Sequence, residues 1–254
     1  MASPSQRVCR AQLIITADDF GRDEACTAAI AESLVAGAVT ATSIMANGSH
    51  FDEACAMIHT YGLADRIGVH LSLDEGPALS REMLRFCDST GSLCVRRSLM
   101  PLGSALARAL QAELAAQIER VLAAGIRPTH LDSHRHIHTA FPIGRLVVRM
   151  ARRYGIPYVR PARNFAHRGS AAARAYKWMF NRYLASRVRT ADYFGDIADF
   201  YDRGNELPTG RLIECMIHLD RSLRGIAGGR LLKDGGFLRF LENYELVGHA
   251  EARG

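Results

Sequence analysis

Residues 129–138 read THLDSHRHIH and hold four of the ten histidines. His130, Asp132, His134, His136 and His138 follow one another at strict two-residue spacing. Along a β-strand, side chains at i, i+2 and i+4 share a face. An extended stretch would therefore place all five metal-capable or proton-handling groups on one side. Leu131, Ser133, Arg135 and Ile137 would lie on the other. Each two-residue step spans roughly 6.5–7 Å, so His130 and His138 would stand about 27 Å apart. At most two neighbours can reach one ion, and further ligands must come from other strands. Asp18, Asp19 and His70 are the candidates.

Imidazole with carboxylate suits zinc, and also nickel, cobalt, iron or manganese. A bound cation lowers the pKa of its water from about 15.7 toward about 7 and polarises a carbonyl. The adjacent carboxylates Asp18 and Asp19 point in different directions. One can ligate while the other stays free as a general base. The combination suggests metal-assisted hydrolysis. A plainer account exists for each residue alone: a strand histidine satisfied by hydrogen bonds, or an Asp pair ending a strand or capping a helix. The alternation around Asp132, together with Asp18, Asp19 and His70, weighs against it.

The elements that must position these groups alternate. AQLIITADDFG opens with a buried strand over 13–16, and Asp18, Asp19 and Gly21 mark a loop after it. An alanine-rich helix follows and stops at Gly37. TATSIMANGS reads as a second strand, FDEACAMIHTYGL as a second helix, and RIGVHLSL as a third strand carrying His70. Residues 76–103 show no periodicity and read as a long loop or insertion. LGSALARALQAELAAQIERVLAAG is a strong helix ending at Gly125. After the central stretch come an amphipathic segment, GRLVVRMARRYG, and a strand, IPYVRPAR. A helix over 171–188, a late strand RLIECMIHL and a terminal helix FLRFLENYELV complete the chain. Strands alternating with helices imply a parallel sheet, as an open doubly wound sheet or a β/α barrel. Sites in both assemble at the strands' C-terminal ends. Polar groups there are Asp18-Asp19, Asn47, His70, the central stretch, Arg160 and His218.

The 254 residues read as one domain over 1–254, with 1–11 flexible. No apolar run approaches the roughly 18 residues of a membrane span. The N-terminus lacks the apolar core of a signal peptide, and a cytoplasmic location is expected. None of the six cysteines is paired as CxxC, so a structural zinc site is not expected and free thiols are. The net charge of +6 comes almost wholly from arginine, with mild clusters at 145–163 and 182–189. Without a basic tract or a stacked-aromatic motif, nucleic acid is not an expected partner.

The motifs TADDFG (16–21), SIMANG (43–48), GVHLSL (68–73), PTHLDSHRHIH (128–138) and GIPYVRPAR (155–163), in that order, resemble the YdjC-like carbohydrate deacetylases. That family includes the chitooligosaccharide deacetylases. The resemblance covers most of residues 12–220. It implies an α/β fold, a single-domain distorted β/α barrel with parallel strands. It also implies a metal-dependent hydrolase that removes an N-acetyl group from an amino sugar or its conjugate and releases acetate. By position, Asp19, His70 and His134 correspond to ligands of one divalent ion, zinc or magnesium first, with nickel, cobalt or manganese as alternatives. Asp18 corresponds to the general base, and His218 to the group that protonates the leaving amine or stabilises the oxyanion. Asn47, Asp132, His136 and His138 would face the substrate or orient ligands, and Arg160 would face the substrate. The family usually carries His-Pro after the late strand, where this chain has His218-Leu219-Asp220. Expected partners are an N-acetylated sugar or sugar conjugate, with a homodimer allowed.

Two other classes compete. A metal-dependent phosphoesterase on a β/α barrel also uses such clusters, usually around more than one ion. A non-catalytic binding module would leave a free carboxylate beside a metal ligand unexplained.

Overall fold

The computed structural model describes residues 10–165, 169–203, 207–219 and 232–252. Cys9, Asp220 and the flexibility expected of residues 1–9 lie outside these residues. Arg10 and Ala11, expected within that flexible start, are packed: Ala11 is buried, and Arg10 Nη1 donates to the Glu242 carbonyl at 2.9 Å.

The long strand β1 (Gln12–Phe20) is central. Its odd-numbered Leu13, Ile15 and Ala17 join the large apolar core beneath the helices, whereas Ile14 joins a separate, smaller cluster. Period-two alternation thus gives β1 an outer face toward helices and an inner face toward the barrel. The other strands are β2 (Ala41–Ile44), β3 (Ile67–Leu71), β4 (His130–Ser133), β5 (Tyr158–Val159), β6 (Tyr193–Asp196), β7 (Leu212–His218) and β8 (Glu245–Leu246). Their order is β5-β4-β3-β2-β1-β7-β6, all parallel, with β8 added to the start of β1. The two edges meet just before β6. Val159 N donates to Arg189 O at 3.0 Å, and Arg189 N donates to Pro157 O at 2.9 Å. The sheet thus curls into a distorted β/α barrel of a single-domain α/β fold, as the sequence led us to expect.

Helices α1 (Glu24–Val35), α2 (Phe51–Tyr61), α3 (Ser104–Ala123), α4 (Phe141–Arg153) and α5 (Ala171–Ala185) follow successive strands. Two further helices, α6 (Ile197–Arg203) and α7 (Gly235–Leu241), complete the described set. Asp23 caps α1, its carboxylate accepting from Cys26 N at 2.8 Å. Residues 76–103 contain one short 3-10 turn, Leu84–Phe86.

Three expectations are corrected. Asp18 and Asp19 lie inside β1 rather than in a loop after it. The central stretch is extended only over His130–Ser133, and from His134 to Thr139 it coils into 3-10 turns. The terminal helix stops at Leu241, and Glu245–Leu246 pair as β8. Cys26, Cys55, Cys87, Cys94 and Cys215 are free thiols.

Candidate metal and catalytic site

The inner face of the barrel is unusually polar. At its narrow, N-terminal end Ile14, Ala41, Tyr158, Leu212 and Val247 form a small apolar plug. Above it the interior is filled by charged and aromatic polar groups. His130 stacks on His249, ring centroids 3.5 Å apart, and Gly68 sits where a Cβ would come 2.4 Å from the His130 ring. A glycine in β3 is therefore required by close approach.

Arg160, fully buried after β5, is the hub. Its Nε donates to Glu214 Oε1 at 2.6 Å, and Nη1 and Nη2 donate to Asp18 Oδ2 and Oδ1 at 2.7 and 2.8 Å. Nη1 also lies 2.8 Å from Asp132 Oδ2. The expectation that Arg160 faces substrate is thereby corrected: its donors are spent on three buried carboxylates. Such a group is sustained in the interior only because each charge is paired and hydrogen-bonded. For Asp132 and Glu214, burial opposes ionisation but Arg160 outweighs it, aided by His70 and His249 respectively. Both acids are held well below the usual carboxylate range. Tyr158 and Thr16 hydroxyls donate to the remaining Glu214 positions at 2.7 and 3.3 Å.

At the C-terminal mouth a break in the β1–β2 register falls between Ala17 and Phe20, and Asp19 adopts φ 75°. This bulge lets neighbouring carboxylates serve one site, where a regular strand would send them to opposite faces. An aspartate tolerates the left-handed region better than most residues, at a cost of about 1–2 kcal/mol. Asp18 takes the Arg160 pair, and Asp19 turns toward His70. Asp19 Oδ1 lies 3.1 Å from His70 Nε2, yet both atoms are buried without a hydrogen-bond partner among the described residues. The other ring nitrogen, His70 Nδ1, lies 2.8 Å from Asp132 Oδ1, and Ser43 Oγ donates to Asp132 Oδ2 at 2.9 Å. Because an ionised carboxylate only accepts, His70 holds a proton on Nδ1. Burial lowers its pKa, but Asp132 and then Asp19 outweigh burial and raise it well above the usual 6.5. An ion bound at Nε2 would therefore displace a proton facing Asp19.

His134 repeats the pattern. Its Nδ1 lies 3.0 Å from Asp74 Oδ1, leaving Nε2 free toward Glu75 Oε2 at 3.7 Å. The two imidazoles stand 6.1 Å apart, centroid to centroid. Imidazoles that donate one N–H to a carboxylate and offer the other nitrogen are the usual arrangement of metal-binding histidines. Burial opposes ionisation of Asp19, but His70, His218 and His134 outweigh it and hold the acid below its ordinary range. Arg22 closes the outer side, 3.3 Å from Asp19 Oδ2 and 3.1 Å from Glu75 Oε1.

A second set, Asp18, His70 and Asp132, also brings ligand-type atoms within 4.8 Å of one another, and by distance this buried group could hold a metal. Its carboxylates are already committed to Arg160, Ser43 and His70. The unpartnered Asp19 Oδ1 and His70 Nε2 are the better-suited donors, with His134 Nε2 as third.

The remaining expected residues sit as follows. His218 pairs in register with Asp18 across β7 and β1, which puts both at the mouth on the inner face. Asn47 donates to the carbonyls of Glu75 and Pro77 at 2.9 and 3.2 Å, so it ties down the loop bearing Asp74 and Glu75. His138 is buried, with Nδ1 on Ser133 Oγ at 2.6 Å and Nε2 on the Arg160 carbonyl at 3.0 Å. His136 has φ 54° and accepts from Arg163 Nε at 3.2 Å. It lines a cavity of about 530 Å³ beside the mouth, together with Arg97, Leu99, Tyr176 and Lys177. His130 is far from the mouth, at the plug. Sequence reasoning missed Arg22, Asp74, Glu75 and Glu214. Asp74-Glu75 carried the same signal as the others, polar groups just past a strand end. Glu214 carried another: a lone charge inside an apolar strand.

A family profile described as YdjC-like protein matches residues 12–223, and the chain belongs to that family. A carbohydrate deacetylase of Brevibacillus brevis is 34% identical over 146 residues, 58% of this chain and 58% of that protein. The match thus spans little more than half of the relative's length. A carbohydrate deacetylase of Mus musculus is 28% identical over 250 residues, 88% of this chain and 76% of that protein. In fold, the chain is similar to a crystal structure from Enterococcus faecalis described as a candidate cellobiose-phosphate cleavage protein. That likeness has a TM-score of 0.73 at 24% identity and covers 94% of this chain and 98% of the other. Among the described residues, no helix is long and apolar enough to cross a membrane.

Proposed function

We propose that the chain is a metal-dependent hydrolase that removes an N-acetyl group from an amino sugar or amino-sugar conjugate. The observation that carries this is the pair of partnerless buried atoms, Asp19 Oδ1 and His70 Nε2, 3.1 Å apart and next to His134. The carbohydrate deacetylase names of its relatives support the substrate class. Asp19, His70 and His134 would hold one divalent ion, and two imidazoles with one carboxylate suit zinc better than magnesium. When bound, such an ion polarises the amide carbonyl and makes water a nucleophile near neutral pH.

The chain's own groups do the rest. Asp18 accepts the proton of the attacking water. Arg160 fixes the carboxylate's direction through two bonds, and lone pairs beyond those two remain on its oxygens. His218, in register with Asp18, protonates the departing nitrogen as the C–N bond breaks and the new C–O bond yields acetate. Asp132 and Asp74 orient the two imidazoles, and His138 holds the Arg160 backbone. His136 and the adjoining cavity receive the rest of the substrate.

Acetate release from a panel of N-acetylated sugars and conjugates, with and without chelator, tests this. We expect release from at least one substrate, lost with chelator and restored by zinc or another divalent ion. Phosphate release from phosphoesters with no acetate from any amide would favour the phosphoesterase alternative instead.

A further inference from the structure

Arg160 and Arg163 belong to the site, but the arginines of the sequence clusters that lie on α4 and α5 take no part in it, and they gather on one side of the barrel. Helix α4 carries Arg145, Arg149, Arg152 and Arg153 and no acid. Helix α5 carries Arg174, Lys177 and Arg182 and no acid. The helices are packed together, with Phe141 and Tyr183 rings 5.0 Å apart and the Tyr176 hydroxyl accepting from Phe141 N at 2.9 Å. Between them runs a surface groove of about 720 Å³, lined by the four α4 arginines and Arg187, with Phe141, Val148 and Tyr183. Its lining contains no carboxylate, and among the described residues none of these five arginines has a salt-bridge partner.

Exposed apolar groups lie outside this groove, on α5 and on the loop that faces α5 across a neighbouring cavity. Trp178 lines a further cavity with Arg174, Arg182 and Asp192. The three most exposed large hydrophobics described are Met100 (72%), Trp178 (68%) and Leu99 (61%). Trp178 lies on α5 with Arg174 and Arg182 one turn to either side, and its ring is 6.0 Å from the Arg182 guanidinium. Met179 beside it is 46% exposed. Leu99 faces α5 across the cavity of about 530 Å³ that also takes in Arg97, Lys177 and His136. An outward tryptophan among arginines, with further apolar side chains beside it, is the composition that settles at a lipid–water interface. Unpaired basic residues add attraction to anionic headgroups.

We propose that the α4–α5 face and the tip of the loop at Leu99–Met100 dock on an anionic membrane surface. There the cavity beside His136 opens toward the bilayer. Nucleic acid would also answer the charge, but it does not account for Leu99, Met100 and Met179, which offer neither stacking nor hydrogen bonds.

Trp178 is the only tryptophan in the chain, so its emission reports this contact directly. The full chain is mixed with phosphatidylcholine vesicles with and without phosphatidylglycerol, and fluorescence and co-sedimentation are followed. The expected result is a blue shift and sedimentation only with phosphatidylglycerol, both declining as salt is raised. Arg149→Glu with Arg152→Glu should weaken the apparent vesicle affinity by about tenfold or more. Leu99→Ser with Met100→Ser should reduce binding and the blue shift while leaving the probe in place. Circular dichroism checks that each variant is folded. No response to phosphatidylglycerol at low salt, or an equal response without it, overturns the proposal. So does a Trp178 signal that appears only with duplex DNA, or only as the protein concentration rises. None of these readouts involves acetate release, so the outcome is independent of the deacetylase assignment.

Discussion

Arg160 grips Asp18 through two parallel hydrogen bonds of 2.7 and 2.8 Å, while its Nε holds Glu214 at 2.6 Å on the opposite side. The candidate base at the barrel mouth is thus anchored from the barrel's interior. Lysine cannot reproduce a fork that serves three carboxylates. Arg160→Lys should cost ~3–5 kcal/mol, because it leaves buried charge unpaired. Urea denaturation checks the stability, and acetate release should fall in the same variant.

Asp18→Asn tests the base itself. A positioned general base contributes on the order of 100- to 10,000-fold, so turnover should drop within that range. Near-normal turnover in this variant would remove Asp18 from the mechanism.

His138 gives a pH prediction. Burial first, and then the charge of Arg160, lower its pKa from the usual 6.5 to about 4, against the pull of Asp132. The unfolded chain therefore binds this proton at higher pH than the folded one does. Stability should be complete above pH 6.5 and fall as the pH drops toward 4, by about 3 kcal/mol for this group. His138→Gln should flatten that part of the stability-versus-pH curve, measured by denaturant midpoints at successive pH values.

Gly68 tests the crowding of the interior. A methyl group there would sit 2.4 Å from the His130 ring, which is itself stacked on His249. Gly68→Ala should destabilise by about 1–3 kcal/mol through overpacking. The double variant Gly68→Ala with His130→Ala should recover part of the loss, read as a shift in melting temperature.

How far the site could be read from sequence depended on where each residue's partner lay. Asp18, Asp19 and His70 stand out as polar residues at the ends of apolar strands in a parallel fold, whereas within the central stretch only the family resemblance singled out His134. The alternation in THLDSHRHIH was true only for His130 and Asp132, which do share the inner face. Beyond Ser133 the left-handed Arg135 and His136 break the period, and no propensity argument foresees two consecutive non-glycine residues at positive φ. The Asp19 bulge was hidden for the same reason. Arg160 was recognised but given the wrong surroundings, since its role depends on Glu214 and Asp132, 54 and 28 positions away, meeting inside the barrel. Strands β6 and β8 escaped notice because YFGD carries a glycine and an aspartate that read as a turn, and the two residues of β8 are exposed and form no apolar run.

The most direct test of the central claim is metal content, measured on purified protein by elemental analysis. The account predicts about one divalent ion per chain, lost in His70→Ala and in His134→Ala and retained in Asp18→Asn. Full occupancy in His70→Ala, or loss of the ion in Asp18→Asn alone, would contradict it.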